Sequence, residues 1–430
     1  MRSRVREHAV AAPAAGVAIL VFAWWGLNGW AWNDYNTEAR PAFDALVNGH
    51  LLQFLQLAPA YGGSLLMRAP FVLVPRLWGG GELAIYRAAA APCLLASAVL
   101  GVWLLARMRR LGRARGAMAL ALFLCVANPI TVRALQDGHP EEVLGAVLCV
   151  AAVLVAMSGR PVWSGVLLGL AIANKEWALL ATGPVLLALP DRRPRALISA
   201  VAVAAAFTAP FLLAGSGGFA TAVKSAAVSA NSPIFQPWQV WWFLGSHGHI
   251  VRDIYGAIKV GYRTPPGWLG TVAHPLIVAM TVPLTLLSAW LRRHGGRRPA
   301  NDALLLLMLL LLMRCVLDPW DTSYYSLPLL FALVVWETLT FTRPPLLALA
   351  ASFAAWFAFR WTQHHMSADM QALTFLAVAI PAMITVAAAL YMPGLSARIA
   401  LTARRGGAVA MRREPWARRR EPGTTGATPG

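Results

Sequence analysis

Four short stretches carry most of the residues able to do chemistry: DYNTEAR at 34–40, NPITVRALQDGHPEE at 128–142, ANKEW at 173–177 and MRCVLDPWDTSYY at 313–325. Asp34 and Glu38 stand four residues apart, on one face if the stretch is helical, and a carboxylate of either kind can take a proton from an attacking hydroxyl. Arg40, Arg133, Lys175 and Arg314 offer fixed positive charge, and the guanidinium fork in particular matches the oxygens of a phosphate. Lys175 stands out because the chain has only three lysines. His139 with Glu141 and Glu142 has the groups to hold a divalent ion or a hydroxyl. Pro140 and the two glutamates equally make a good first helical turn. Glu176, Asp318, Asp321, Tyr324 and Tyr325 complete the set, the tyrosines able to stack on a ring or to anchor at a membrane interface. Each cation also has an ordinary role, snorkelling from an apolar helix to the interface.

The elements that position these residues are apolar. Hydrophobic types make up 58% of the 430 residues and charged types 13%, where a soluble domain carries about a quarter charged. The apolar runs are roughly 15 to 24 residues long and do not alternate, which predicts helices and not barrel strands. Spans are expected at about 10–32, 83–106, 117–135, 142–158, 161–174, 176–189, 196–214, 268–291, 302–317, 324–341, 345–361 and 371–392. The fold class is therefore an all-α, polytopic membrane helix bundle of about twelve spans. The segment 62–78 contains Arg68, Pro70, Pro75 and Arg76 and reads as an outer-face amphipathic or re-entrant piece. Residues 1–395 form the membrane domain, and 396–430 a basic, disordered tail.

Charge sets an orientation. Arginine clusters such as RMRRLGRARG fall into short loops on one side, which puts both termini in the cytoplasm of a multi-pass cell-membrane protein. With that topology, 12 of the 18 acidic residues lie outside or at the outer edge, and the four chemical stretches share that extracytoplasmic end. Ionisable groups beside long apolar helices mark a working cavity. The formal charge of +19 follows from the arginine loops and does not indicate nucleic acid. Cys93, Cys125, Cys149 and Cys315 have no metal or disulfide spacing and read as small buried hydrophobes.

The chain resembles the GT-C class of membrane glycosyltransferases, and within it the bacterial GT87 family of polyprenol-phosphate-dependent, mannosyltransferase-like proteins. The resemblance covers roughly residues 15–390. It rests on the acidic stretch from Asp34, the proline-containing segment 62–78, the stretch from Asn128 to Glu142, GLAIANKEWALLATGPVLLALP at 169–190 and YYSLPLL at 324–330. It implies an extracytoplasmic active site, a polyprenyl-phosphate sugar donor, and inverting transfer to a hydroxyl of a lipid or glycan acceptor. A carboxylate of the first outer loop acts as general base in such enzymes, a role that maps onto Asp34, with Glu38 as substitute. Arg133 and Lys175 are the first candidates for the donor phosphate, followed by Arg40 and Arg314. Two departures stand out: His139 where a glutamine-type residue is common, and the pairing of Lys175 with Glu176. No cofactor is implied beyond a divalent cation as an option. The alternative reading is a polytopic lipid or solute transporter or flippase.

Overall fold

The computed structural model describes residues 33–215, 234–252, 256–294 and 301–392, together with Gly16 and Trp24. The expected first span, the basic tail and both termini lie outside the described residues. Every named element is helical. The chain opens with α1 (Asn33–Glu38), α2 (Arg40–Val47), α3 (Leu51–Gln56) and α4 (Gly62–Val72), then a 3-10 turn at Pro75–Trp78. Next come α5 (Glu82–Arg110), α6 (Arg115–Val126), α7 (Pro129–Asp137), α8 (Pro140–Met157) and α9 (Pro161–Asn174). A 3-10 turn at Glu176–Ala181 leads into α10 (Thr182–Ala188) and α11 (Arg193–Leu213). After an irregular stretch follow α12 (Leu269–His294), α13 (Asp302–Leu317), α14 (Leu327–Thr340) and α15 (Leu346–Trp356). A π turn at Phe357–Trp361, α16 (Thr362–His365) and α17 (Ala368–Tyr391) complete the described chain.

The expectation of about twelve spans is corrected. Among the described residues six helices are long and apolar enough to cross a membrane: Glu82–Arg110, Arg115–Asp137, Pro140–Met157, Arg193–Leu213, Leu269–His294 and Ala368–Tyr391. The runs 161–174, 302–317, 324–341 and 345–361 instead give helices of 14, 16, 14 and 11 residues. The run 176–189 splits into a 3-10 turn and the 7-residue α10. At 1.5 Å per residue, α13 rises about 24 Å, short of a hydrocarbon core of about 30 Å. These runs are apolar largely because they face protein. All of α13 from Ala303 to Val316 is buried, as are Leu327, Leu330, Phe331, Val334 and Val335 of α14. Composition alone does not separate a helix wrapped by other helices from one wrapped by lipid.

Breaks in the helices put polar residues where the chemistry is. Asn128 ends the α6 segment and caps α7, its side chain accepting from the Ile130 N–H at 2.9 Å, with Pro129 at the first helical position. Gly138 ends α7 in the left-handed region, at φ 94°. A side chain there would also collide with the Tyr35 backbone, so glycine lets α1 press against the α7–α8 corner. Pro140 then starts α8, with Glu141 and Glu142 in its first turn. Segment 62–78, expected to be amphipathic or re-entrant, is the 11-residue α4 followed by the Pro75–Trp78 turn. Its exposed side carries Phe71, Leu77 and Trp78, but Arg68 points inward and is fully buried.

Helices α9 and α11 approach closely through Gly165 and Gly169, where an added Cβ would run into the carbonyls of Ala196 and Ala200. Small residues four apart are the usual means of bringing membrane helices into contact. Gly165→Val with Gly169→Val is expected to lower the thermal stability of purified protein in detergent. Gly116→Ala, at a position with open space around it, is expected to leave it unchanged. A double variant as stable as the parent would show that this contact does not hold the bundle.

Candidate active site

Glu141 is wholly buried and lies at the centre of a polar network. Its Oε1 meets His139 Nδ1 at 2.7 Å and Lys175 Nζ at 3.5 Å, and its Oε2 pairs with Arg68 at 3.5 Å. The Asn174 amide donates to its backbone carbonyl at 2.8 Å. Glu142, beside it, shares Lys175 at 3.6 Å and accepts from Trp177 Nε1 at 3.4 Å. Lys175 also lies over the Tyr61 ring, 4.0 Å from its centroid, and the Tyr61 hydroxyl donates to Glu38 at 2.7 Å. Four elements therefore converge on the first turn of α8: α1, α4, α7 and the break after α9.

The outermost member of the network is Asp34. Its Oδ2 lies 3.0 Å from His139 Nε2, and its side chain keeps 24% of its surface accessible while His139 keeps 4%. His139 thus bridges two carboxylates, one buried and one partly exposed. Burial disfavours a charged ring, but Glu141 and Asp34 outweigh it and hold the histidine well above its ordinary pKa. Both ring nitrogens then carry protons, and each donates to a carboxylate. The Tyr324 ring packs against His139 at 4.4 Å between centroids.

Through Tyr324 the network reaches a second cationic centre. Tyr325 neighbours Tyr324 at 5.5 Å, and Arg314 lies 3.9 Å from the Tyr325 centroid and 5.0 Å from that of Trp177. Arg314 Nε is 3.9 Å from Asp318, whose other oxygen is 3.1 Å from His274 Nε2. Burial works against ionisation of Asp318, but His274 and Arg314 hold its pKa below the usual carboxylate value. Burial, and then the charge of Asp318, push neighbouring Asp321 well above that value. Arg314 Nη1 is buried without a hydrogen-bond partner. Arg314, Asp318, His274, Glu176 and Tyr325 line one end of a cavity of about 510 Å³. Trp177, Leu179, Leu180, Trp320 and the α12 residues Pro275, Ile277, Val278 and Ala279 also line it, so α12 gives it an apolar wall.

The residues singled out in the sequence are thus partly gathered and partly dispersed. Asp34, Glu38, His139, Glu141, Glu142, Lys175 and Tyr324 share one network, and Glu176, Arg314, Asp318 and Tyr325 one cavity. Arg133 and Lys175, expected to hold one phosphate together, keep different company: Arg133 pairs with Asp137 at 3.0 Å, while Lys175 sits between two glutamates. Arg40 lies at the surface on Asp44 at 3.3 Å and Glu82 at 2.7 Å. Tyr61 and His274 lie outside the four stretches singled out in the sequence, whereas Asn174 and Trp177 lie within ANKEW. Arg68 gave a signal, a lone arginine in an apolar segment, which is a functional flag by itself. Among the described residues no group of three or more His, Cys, Asp or Glu side chains converges as a metal site.

The profile of glycosyltransferase family 87 matches residues 63–319. The chain belongs to glycosyltransferase family 87. It is a multi-pass membrane enzyme that transfers sugar. The family match takes in Arg68, the α7–α8 corner, the ANKEW break and Arg314, and begins after Asp34 and Glu38. No curated protein and no solved structure matches the chain.

Two outcomes test this network in the transferase. Arg68→Gln leaves Glu141 short of a partner in a buried site and is expected to cost about 3–5 kcal/mol of stability. The double variant Arg68→Gln/Glu141→Gln is expected to recover part of that loss, read by thermal unfolding in detergent. A single variant as stable as the parent would remove Arg68 from the network. The raised pKa of His139 means that its charge is present at and below neutral pH and is lost only as pH rises through that raised value. Nitrogen-15 NMR of labelled histidine is expected to show the ring doubly protonated from about pH 6 to 8, where an ordinary histidine deprotonates. A neutral ring at pH 7 would contradict the two-carboxylate bridge.

Proposed function

We propose that this family 87 enzyme transfers a sugar from a polyprenyl-phosphate donor to an acceptor hydroxyl, with inversion, at the extracytoplasmic end of its helices. The observation that carries the reading is one contiguous set of contacts. It runs from the Asp34 carboxylate through His139, Tyr324 and Tyr325 to Arg314 and its apolar-walled cavity. One end of this set suits a base and the other a lipid phosphate.

Asp34 is the general base in this proposal. The acceptor oxygen attacks the anomeric carbon, Asp34 takes the hydroxyl proton, and the bond from that carbon to the phosphate oxygen breaks with its electron pair leaving on the lipid phosphate. His139 fixes the carboxylate, and Glu141 fixes His139, as an orienting group does in other acid–base arrays. Glu38, held by Tyr61, is the substitute base. Arg314 is the better site for the departing charge, because its buried Nη1 has no hydrogen-bond partner and the cavity's α12 wall suits a prenyl chain. Lys175 is already held by Glu141 and Glu142 and supports the network instead. Arginine clusters at Arg107–Arg110 and Arg292–Arg293, at the opposite ends of α5 and α12 from this site, favour its extracytoplasmic placement by the loop-charge rule.

The test is single-turnover transfer beside equilibrium donor binding in lipid nanodiscs, with a panel of polyprenyl-phosphate sugars. Asp34→Asn keeps size and removes the base, so turnover is expected to fall by about 10²–10⁴ while donor binding is retained. Arg314→Gln is expected to weaken donor binding. Full turnover in Asp34→Asn would take the base role from this residue. Facilitated movement of the lipid across the bilayer, without transfer, would favour the flippase reading.

A further inference from the structure

Beyond the Ser323–Ser326 turn lies a second, smaller cavity, of about 80 Å³. Arg133, Lys259 and Arg360 bring three positive charges to its wall, and Gln236 and Gln363 add amides. No carboxylate lines it among the described residues. Arg133 pairs with Asp137 at 3.0 Å, and Asp137 is not part of the wall. Arg360 contacts His364 at 2.8 Å, and Lys259 stands over the Tyr262 ring at 5.9 Å. Two further residues of the wall, Trp238 and Ser323, are 4% and 5% exposed. Neither the indole N–H of Trp238 nor the hydroxyl of Ser323 makes a hydrogen bond.

Charged groups on this wall are all cationic. Arginine, lysine and the indole nitrogen are donors only. A buried donor left without a partner costs about 1–3 kcal/mol, so two of them on one small cavity point to an absent acceptor. The volume holds a few waters, about the size of one tetrahedral oxyanion. Three cations suit a phosphate better than a singly charged carboxylate or a neutral sugar. The Arg314 cavity differs on each count, being larger, mostly apolar and supplied with its own acid in Asp318.

We propose that this cavity is a phosphate-binding site separate from the Arg314 cavity, and that the phosphate belongs to the sugar acceptor. Ser323 faces the small cavity, Tyr324 packs on His139, and Tyr325 lines the Arg314 cavity. The turn therefore sets a phosphate on either side of Asp34's histidine. An acceptor anchored by its own phosphate presents its hydroxyl between them. Naming the acceptor rests on the transfer reading, whereas phosphate binding does not.

The experiment uses the full chain in phosphatidylcholine nanodiscs. Equilibrium binding is measured for inorganic phosphate and glycerol 1-phosphate, with glycerol as the neutral control. Wild type is expected to show saturable phosphate binding that ignores glycerol and that persists in Arg314→Gln, which removes the other cavity's cation. Arg360→Gln and Trp238→Phe are each expected to weaken it about tenfold, the loss of one charge-assisted or buried hydrogen bond. Trp238→Phe keeps an aromatic ring against Phe359, which lies 5.0 Å from Trp238 between centroids, so this variant tests the N–H with packing preserved. Absence of saturable phosphate binding, or undiminished binding in both variants, would overturn the site. In a second arm, a glycolipid carrying a phosphate is compared with the same glycolipid lacking it, as competitor for phosphate and as acceptor. Displacement of inorganic phosphate and preferential transfer to the phosphorylated form, both lost in Trp238→Phe, support the acceptor assignment. Binding of the free ion with no competition from the phosphorylated glycolipid would overturn that assignment. If phosphate binds but no acceptor receives sugar from any donor, the transfer reading fails and the phosphate site stands.

Discussion

Glu141 is a carboxylate removed from water at the top of α8, and the arrangement around it follows from what such a group needs. An ion of this kind in a protein interior costs several kcal/mol unless opposite charge and hydrogen bonds surround it. Here the partners come from separate parts of the chain: Arg68 from α4, Lys175 from the break after α9, and His139 from the corner before α8. Each partner brings its own element with it. Arg68 fixes α4 against the bundle even though that helix and the turn after it carry Phe71, Leu77 and Trp78 towards the exposed side. Lys175 fixes the point where α9 gives way to a 3-10 turn. His139 passes the same charge outward to Asp34, so the orientation of the Asp34 carboxylate is set in part by a group that it never touches.

The network gathers where helices end or break. Proline and glycine at the α7–α8 corner, and the change from α9 to a 3-10 turn, open the backbone and let side chains project along the bundle. Glu142 and Trp177 link these two breaks, and Arg314 at the end of α13 stacks on Trp177 and Tyr325. Long outer helices and short inner ones divide the labour. In α11, α12 and α17 only a small share of the apolar stretch is buried, whereas α8 and α13 are nearly enclosed.

Much of this was legible in the residues themselves. The stretches at 34–40, 128–142, 173–177 and 313–325 meet at one end of the bundle, because polar groups beside apolar helices have few tolerable places to go. The boundaries of the long helices lie close to those expected, as at 83–106 against Glu82–Arg110. The number of spans is not legible there, because leucine-rich α13 looks the same whether lipid or protein surrounds it. Partnerships were harder still. Nothing local ties Arg68 to Glu141, Tyr61 to Glu38 or His274 to Asp318, since each pair is set by packing between helices distant in sequence. The histidine that departed from the family's common residue at 139 proves to be the link between two carboxylates.

The α12 wall of the Arg314 cavity has a kinetic meaning. That helix has Val272, Val278, Met280, Val282, Leu286 and Leu287 exposed along its length, and Val278 also lines the cavity, so an apolar surface suited to lipid adjoins it. A ligand with a long isoprenoid tail would arrive by sliding within the plane of the bilayer. For such a ligand encounter would be a two-dimensional problem, and the quantity that saturates the enzyme would be the number of its molecules per lipid, not per litre. Adding inert lipid would dilute the substrate while leaving its bulk concentration untouched, and membrane fluidity would enter the rate as viscosity does for a soluble enzyme.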